Sequence, residues 1–457
     1  MKRNLMRYVL LLVVLMMATD TLMAQTSPWR DMHKVKRKET IYGIARDYGL
    51  TVEELMNANP EMKEPGFELK KGMFVCIPYP SNTPPDTTTT AAPSPKPVRP
   101  EEADMRRREI RLGVMLPLHT QNGDGRRMVE YYRGVLMACD SLRQEGISVS
   151  VHAWNVSEHD DITTTLADSA AARCDLIIGP LYSAQVPALS SFAQKNDISV
   201  LIPFSINTNE VATNPQLFQV YQSPQDFNEL TLDHFMELYG RDHLIVIDCN
   251  DSTSRKGMFT SGLRKRFDEA GLTYDITNLR SADERFQQVF SPVQRNVVVL
   301  NTGRQKELRM AMAKMSGVLA ANPTLDVTLF GYTDWLLFAR GNMENFYKYN
   351  VQIPSAFCYD ATSPRTKRIE LKYRWNFHAD MMNSLPHFAI TGFDHTYFMV
   401  KGLHLYGKGF TGAPAMVGYT PIQTPLDFRQ QGSGGRKNRQ LMLINYTPQK
   451  TVEVIKF

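Results

Sequence analysis

From residue 109 onward, short apolar runs alternate with stretches in which apolar side chains recur every three or four positions, the pattern of strands alternating with amphipathic helices. Ile110–Leu116 reads as a buried strand, and Met128, Tyr132, Val135, Leu136, Cys139 and Leu142 then fall on one helical face that Gly146 ends. Residues 147–154 alternate apolar and polar side chains as a strand. A helix over 161–173, a buried strand over 176–179, a helix over 183–196 and a strand over 200–203 complete a first half. The unit then repeats, with strands over 244–248, 297–300 and 327–331 and helices over 255–270 and 305–321. This alternation predicts an α/β fold on doubly wound parallel sheets, and two such sheets predict two lobes with a cleft between them. From about residue 412 to 457 the pattern becomes β-rich around the "GSGG" at 432–435 and reads as an extension.

Between residues 33 and 78 the period changes twice, giving strand, helix, helix, strand (βααβ). Thr40 can cap a first helix that buries Ile41, Ile44 and Ala45, and Gly49 ends it in left-handed geometry. Thr51 and Glu54 form a capping box for a second helix with Val52, Leu55 and Met56 inward, closed by Asn57, Asn59 and Pro60. Phe74, Val75 and Ile77 form a strand that can pair with the one near Val35.

The segments flanking this module have different grammars. Lys2, Arg3 and Arg7 precede an apolar run over 8–18, a polar bend and Leu22-Met23-Ala24, which predicts a secretory signal over 1–24. The run falls short of the roughly twenty apolar residues that span a bilayer, so no membrane span is expected after cleavage. The first cysteine is Cys76, so no lipid anchor at the cleavage site is expected either. Residues 81–108 hold six Pro and four consecutive Thr and cannot bury a core. At ~3.1 Å per residue such a tether reaches roughly 85 Å. The expected organisation is therefore a signal over 1–24, a small module over 31–80, a linker over 81–108 and a large region over 109–457.

Composition narrows the chemistry. The 457 residues, 43% apolar and 22% charged, suffice for two or three cored domains. The net charge of +5 is spread along the chain without a basic stripe, which argues against nucleic acid as a partner. Five cysteines lack a C-x-x-C pair and ten histidines lack H-E-x-x-H spacing, so no metal or other cofactor is expected. Cys139 and Cys174 fall in or beside predicted elements as small buried hydrophobes, with Cys249 less constrained after its strand. No reacting group for wall hydrolysis is evident, and the expected activity is binding, not catalysis.

The module resembles a LysM domain. Lys38-Glu39-Thr40-Ile41 stands where the family has Gly-Asp-Thr-Leu, followed by Ile44-Ala45, Tyr48-Gly49, Leu55, Asn59, Leu69, Gly72 and Ile77-Pro78. The resemblance implies binding of N-acetylglucosamine-containing glycans such as peptidoglycan, in a groove formed by Glu39, Thr40, Ile41 and Tyr42 on one side and Asn57, Asn59 and Pro60 on the other. Such sugars offer an amide and a methyl and require neither charge nor metal.

The large region resembles a type I periplasmic binding protein, the superfamily of branched-chain amino-acid receptors of ABC importers. The resemblance rests on Gly179-Pro180-Leu181-Tyr182-Ser183-Ala184, "ISVLIPFS" over 198–205, "NPQLFQVYQSPQDF" from Asn214, Tyr359-Asp360-Ala361, "RIELKYRWNF", and "FAITGFDHTYFMVKGLHLYG" from Phe388. It implies a cleft site of His119, Tyr182, Ser183, Ser205 and Asn207 from one lobe, faced by Asn250, Tyr332 and Asp360 from the other lobe or the hinge. Closure would then turn on hinge strands near Ser205 and Tyr332. The Ser/Thr-rich pattern usual in amino-acid receptors is missing. Outer-membrane lipoprotein activators of penicillin-binding proteins share this fold, an analogy of architecture alone. Together the two resemblances imply an exported, periplasmic, wall-associated sensor or adaptor that grips peptidoglycan and holds a small molecule or a cell-wall synthesis protein in its cleft. The other reading is a solute receptor of an amino-acid-type ABC importer.

Overall fold

The computed structural model describes residues 29–36, 39–63, 67, 69, 73–78, 104–206, 209–251, 253 and 256–457. The signal over 1–24, residues 81–103 of the linker expected over 81–108, Lys38, Gly72 and the candidate site residue Asn207 lie outside the described residues.

The N-terminal module comprises β1 (Trp29–Lys34), α1 (Ile41–Asp47), α2 (Val52–Ala58) and β2 (Phe74–Pro78), with β1 antiparallel to β2. Its helices start where their caps dictate. The Gly43 amide donates to Thr40 Oγ1 at 3.1 Å, and Thr51 and Glu54 exchange both bonds of a capping box. Gly49 takes a φ of +70° after α1, a conformation glycine adopts without a Cβ penalty. Ile44, Ala45, Leu55, Val75 and Ile77 form the core between them.

The larger body begins with β3 (Ile110–Leu116), α3 (Gly123–Gln144), β4 (Val149–Asn155), β5 (Leu176–Ile178), α4 (Val186–Asn196), β6 (Ser199–Ile202) and β7 (Leu217–Gln219). It continues with α5 (Pro224–Tyr239), β8 (His243–Asp248), α6 (Gly257–Glu269), β9 (Tyr274–Asn278), β10 (Asn296–Leu300), α7 (Gln305–Ala321), β11 (Val327–Phe330) and β12 (Gln352–Ser355). It closes with α8 (Pro364–Phe377), α9 (Phe388–Tyr406), β13 (Phe428–Gln430), β14 (Arg436–Asn438), β15 (Met442–Tyr446) and β16 (Val452–Lys456). Two seven-stranded sheets result, ordered β13-β14-β7-β6-β5-β3-β4 and β16-β15-β12-β11-β10-β8-β9. Counted from its own first strand, each lobe's parallel set runs 2-1-3-4-5, the doubly wound order whose switch point lies between strands 1 and 3.

Three corrections to the sequence reading follow. The helix expected over 161–173 is interrupted. Asp168 accepts from the Ala170 amide at 2.8 Å and from Trp154 Nε1 at 3.0 Å, leaving a short helix at Ile162–Leu166 and a 3-10 turn at Ala171–Arg173. The C-terminal stretch is no appendage: β14 pairs with β7 in the first sheet, and β15 pairs with β12 in the second. The connections between the lobes are also not where the hinge was expected. The chain crosses between lobes near 220–223, 356–363 and 439–441, whereas Ser205 and Tyr332 sit at strand ends within their lobes.

Asp175 ties the first lobe to the chain segment entering it. Its carboxylate, 5% exposed, accepts two bonds of 2.7 Å from Arg108 and bonds from the Arg111 amide and guanidinium at 2.8 and 2.9 Å. Burial alone would raise its pKa, but the two guanidiniums outweigh burial and hold it down at about 2. A carboxyl depressed by folding stabilises fully above its unfolded pKa, near 4, and that stabilisation is lost as pH falls through about 2. Asp175→Asn is expected to lose about 2 kcal/mol at neutral pH. Urea melts of the variant should also show a shallower dependence on pH between about 4 and 2 than those of the parent chain.

Candidate functional site

In the module, the loop entering α1 is braced by a chain of polar contacts. Glu39 Oε2 accepts from the Lys36 amide at 2.6 Å and lies 2.7 Å from His33 Nε2, while His33 Nδ1 meets Tyr48 Oη at 3.2 Å. The Lys36 amide and then His33 lower the Glu39 pKa. Glu39 therefore shapes the loop, and Tyr48 of the motif supports it together with His33, a position the sequence pattern did not single out. Thr40 spends its hydroxyl on the cap. Tyr42 presents its ring to solvent at 68% exposure, with Ile41 beside it in the chain partly buried. Asn57 accepts from Lys63 Nζ at 2.5 Å, and Pro60 is exposed at the start of a 3-10 turn.

Asn59 departs from its expected place in the groove. It is 1% exposed, donates to the carbonyls of Leu55 and Cys76 at 2.7 and 2.8 Å, and accepts from the Cys76 amide at 2.7 Å. It staples α2 to β2 and has no amide group left for a sugar.

In the body, four predicted residues gather at the strand ends of the first lobe. His119 follows β3 and packs on Gly125, where an added Cβ would lie 2.3 Å from its Nδ1 and its carbonyl oxygen. That Nδ1 is buried without a hydrogen-bond partner. After β5, a cis Gly179-Pro180 bond leads to Tyr182, whose hydroxyl donates to Asp124 at 3.4 Å, and to Ser183, whose Oγ lies 2.6 Å from that of Ser205. Burial, then Asp124, raises the Tyr182 pKa.

The second lobe presents a different surface. Asn250 takes a φ of 51° just after β8, its amide donating to Asp248 at 2.8 Å, so it serves as a turn residue. Tyr332 donates to the Leu300 carbonyl at 2.5 Å, and burial pushes its phenol well up. Lys256 lies 4.9 Å above the Tyr332 ring and pairs with Asp334 at 2.5 Å. Asp360 belongs to the second crossing, where it accepts from the Thr362 amide and hydroxyl and orders the turn before α8.

Residues not anticipated join the ends of β8 and β10. Asn301 accepts from the Cys249 amide and donates to Asp248, both at 2.8 Å, and Thr302 donates to Asp251 at 2.8 Å. Hydrogen bonds from Thr253 and then Thr302 hold Asp251 at about 2. A cavity of about 270 Å³ opens beside β11 and β12, walled by Phe227, Phe259, Tyr332 and Pro354, with Asn228, Thr231, Lys256 and Thr333 among its polar lining. Phe227 and Phe259 carry the apolar spacing of core positions, which hid them. The arrangement suits an apolar body with one or two polar groups.

The four thiols of the body lack the activation a nucleophile needs. Burial pushes Cys139, Cys174 and Cys249 up to about 12 and Cys358 to about 11, far from the depressed values of reactive cysteines. Among the described residues, no cluster of three His, Cys, Asp or Glu could hold a metal, and no helix is long and apolar enough to cross a membrane.

Residues 33–78 match the family model of the LysM domain. Among solved structures, a putative branched-chain amino acid ABC transporter protein from Rhodospirillum rubrum is similar at 15% identity and a TM-score of 0.51, covering 76% of this chain and 100% of that one. LpoA from Haemophilus influenzae is similar at 16% identity and a TM-score of 0.49, over 77% of this chain and 59% of that one. No curated protein matches the sequence. The N-terminal module is thus a LysM domain, and the body has the bilobed type I periplasmic-binding-protein fold.

Proposed function

We propose that this protein is exported through residues 1–24 and acts as a wall-tethered binding protein. Its LysM domain grips peptidoglycan, and its two-lobed body binds a small molecule or a wall-synthesis protein and acts as a sensor or adaptor. The observation that carries this reading is the joining, in one chain, of a LysM domain with an outward-facing Tyr42 ring to a two-lobed body with an aromatic-walled cavity at its strand ends. The body works by closure: the lobes rotate about the three crossings, and the closed form is what a partner recognises.

The glycan part of the proposal rests on Tyr42, because an aromatic face packs against the apolar side of a sugar and its N-acetyl methyl. Tyr42→Ala is expected to weaken binding of chitopentaose roughly tenfold, equivalent to about 1.4 kcal/mol. Its melting temperature should not change, since the ring is exposed. Calorimetric titration reads the affinity, and equal affinities in parent and variant would remove Tyr42 from the groove.

A further inference from the structure

We propose that α8 and the groove beside it form a docking surface for an acidic segment of a partner protein that also carries an apolar anchor. The inference rests on reading the body as an adaptor and names where its partner binds. The 14 residues of α8 include five cations, Arg365, Lys367, Arg368, Lys372 and Arg374, against the single carboxylate of Glu370. That carboxylate is already occupied by the Tyr359 hydroxyl.

Arg365, Arg368 and Lys372 are spaced three and four apart and so share one face of the helix. They line a groove of about 220 Å³ with Tyr397, Tyr419 and Ile422 on its other side. Arg365 lies 5.1 Å from the Tyr419 ring centre, which fixes its guanidinium at the groove wall. Lys372 is partly neutralised by Asp140 at 2.5 Å, and Arg374 by Asp380 at 2.6 Å. Arg368 is exposed, and among the described residues no ion pair with an acidic side chain engages it.

The same helix leaves Leu371 and Trp375, one turn apart, 44% and 43% exposed, while Thr366, Ile369 and Tyr373 face the core. A helix that serves only to cover the lobe has no reason to place a Trp and a Leu outward among cations. Trp and Arg are the residue types that dominate binding hot spots. A neutral carbohydrate could stack on Trp375 but would leave the cations of α8 without a countercharge. An acidic polypeptide with an apolar side chain every turn satisfies both the cations and the apolar pair.

The test uses the chain from residue 25 to 457 and two probes: an amphipathic Glu/Leu peptide, and vesicles of phosphatidylglycerol. The peptide is expected to bind with an affinity that falls as salt rises. The double variant Arg368→Glu, Trp375→Ala should bind it at least tenfold more weakly while keeping a cooperative melt, since neither side chain belongs to the core. Arg368→Gln alone should give an intermediate loss. Absence of peptide binding, equal binding by the double variant, or preference for vesicles over peptide would overturn the proposal. Sedimentation of the same variant with murein sacculi should match the parent. Loss of retention by both would count against the wall-tethered reading and not against the α8 surface.

Discussion

Replacing Gly392 by valine is expected to destabilise the body strongly and leave the LysM domain intact. Helix α9 passes α3 so closely that a Cβ on Gly392 would lie 2.1 Å from the Tyr131 carbonyl oxygen, and one on Gly134 would lie 1.9 Å from that of Ala389. Both obstacles are backbone atoms, which no rotamer change can move aside. Glycine inside a helix costs roughly 0.5–1 kcal/mol relative to alanine, and here the close approach of two long helices offsets it. Around this crossing Tyr131 meets His395 at 2.9 Å, and Tyr131, Val135, Phe393 and Phe398 belong to one core. Overpacking so tight a contact should cost about 3 kcal/mol, since backbone atoms form the obstacle. In urea melts followed by circular dichroism, the body's transition should shift strongly to lower denaturant. A transition within about 1 kcal/mol of the parent would show that the helices have room to separate.

The second large effect is expected from Asn59→Ala. Its side chain makes three bonds that join α2 to β2 across 17 residues of chain. Alanine would strand the Cys76 amide and two carbonyls in the module's interior. An unsatisfied buried donor alone costs roughly 1–3 kcal/mol, and a module this small has little stability in reserve. Asn59→Ala should therefore unfold the LysM domain at ambient temperature and abolish chitopentaose binding, while the body's unfolding transition stays in place. Backbone amide spectra and limited proteolysis read the two units separately. A folded, binding-competent variant would mean that the staple is dispensable.

These two residues also show where reading from sequence stops. The capping box of Thr51 and Glu54 was legible because its partners are three positions apart, and α3 was legible because its apolar face repeats at the helical period. Asn59 suited a sugar groove as well as a staple, and only the approach of Cys76 decides between them. Strand β7 is three residues long and β9 is a partly exposed edge, so neither carries an apolar run long enough to announce it. Nothing local tells β14 to join the first sheet and β15 the second, because strand pairing is decided by neighbours far away in the chain. The same holds for the polar joint at the second lobe's switch point, where Asp248 and Asp251 meet Asn301 and Thr302 from some fifty positions further along. The first lobe's cleft edge was easier, since Tyr182, Ser183 and Ser205 directly follow strand ends.

Cosedimentation with purified murein sacculi tests the central claim most directly, comparing residues 25–457 with residues 104–457. Tethering by the LysM domain predicts that the longer chain pellets with sacculi in a manner competed by chitin oligomers, while the shorter chain stays in the supernatant. Equal pelleting of both, or of neither, would contradict it.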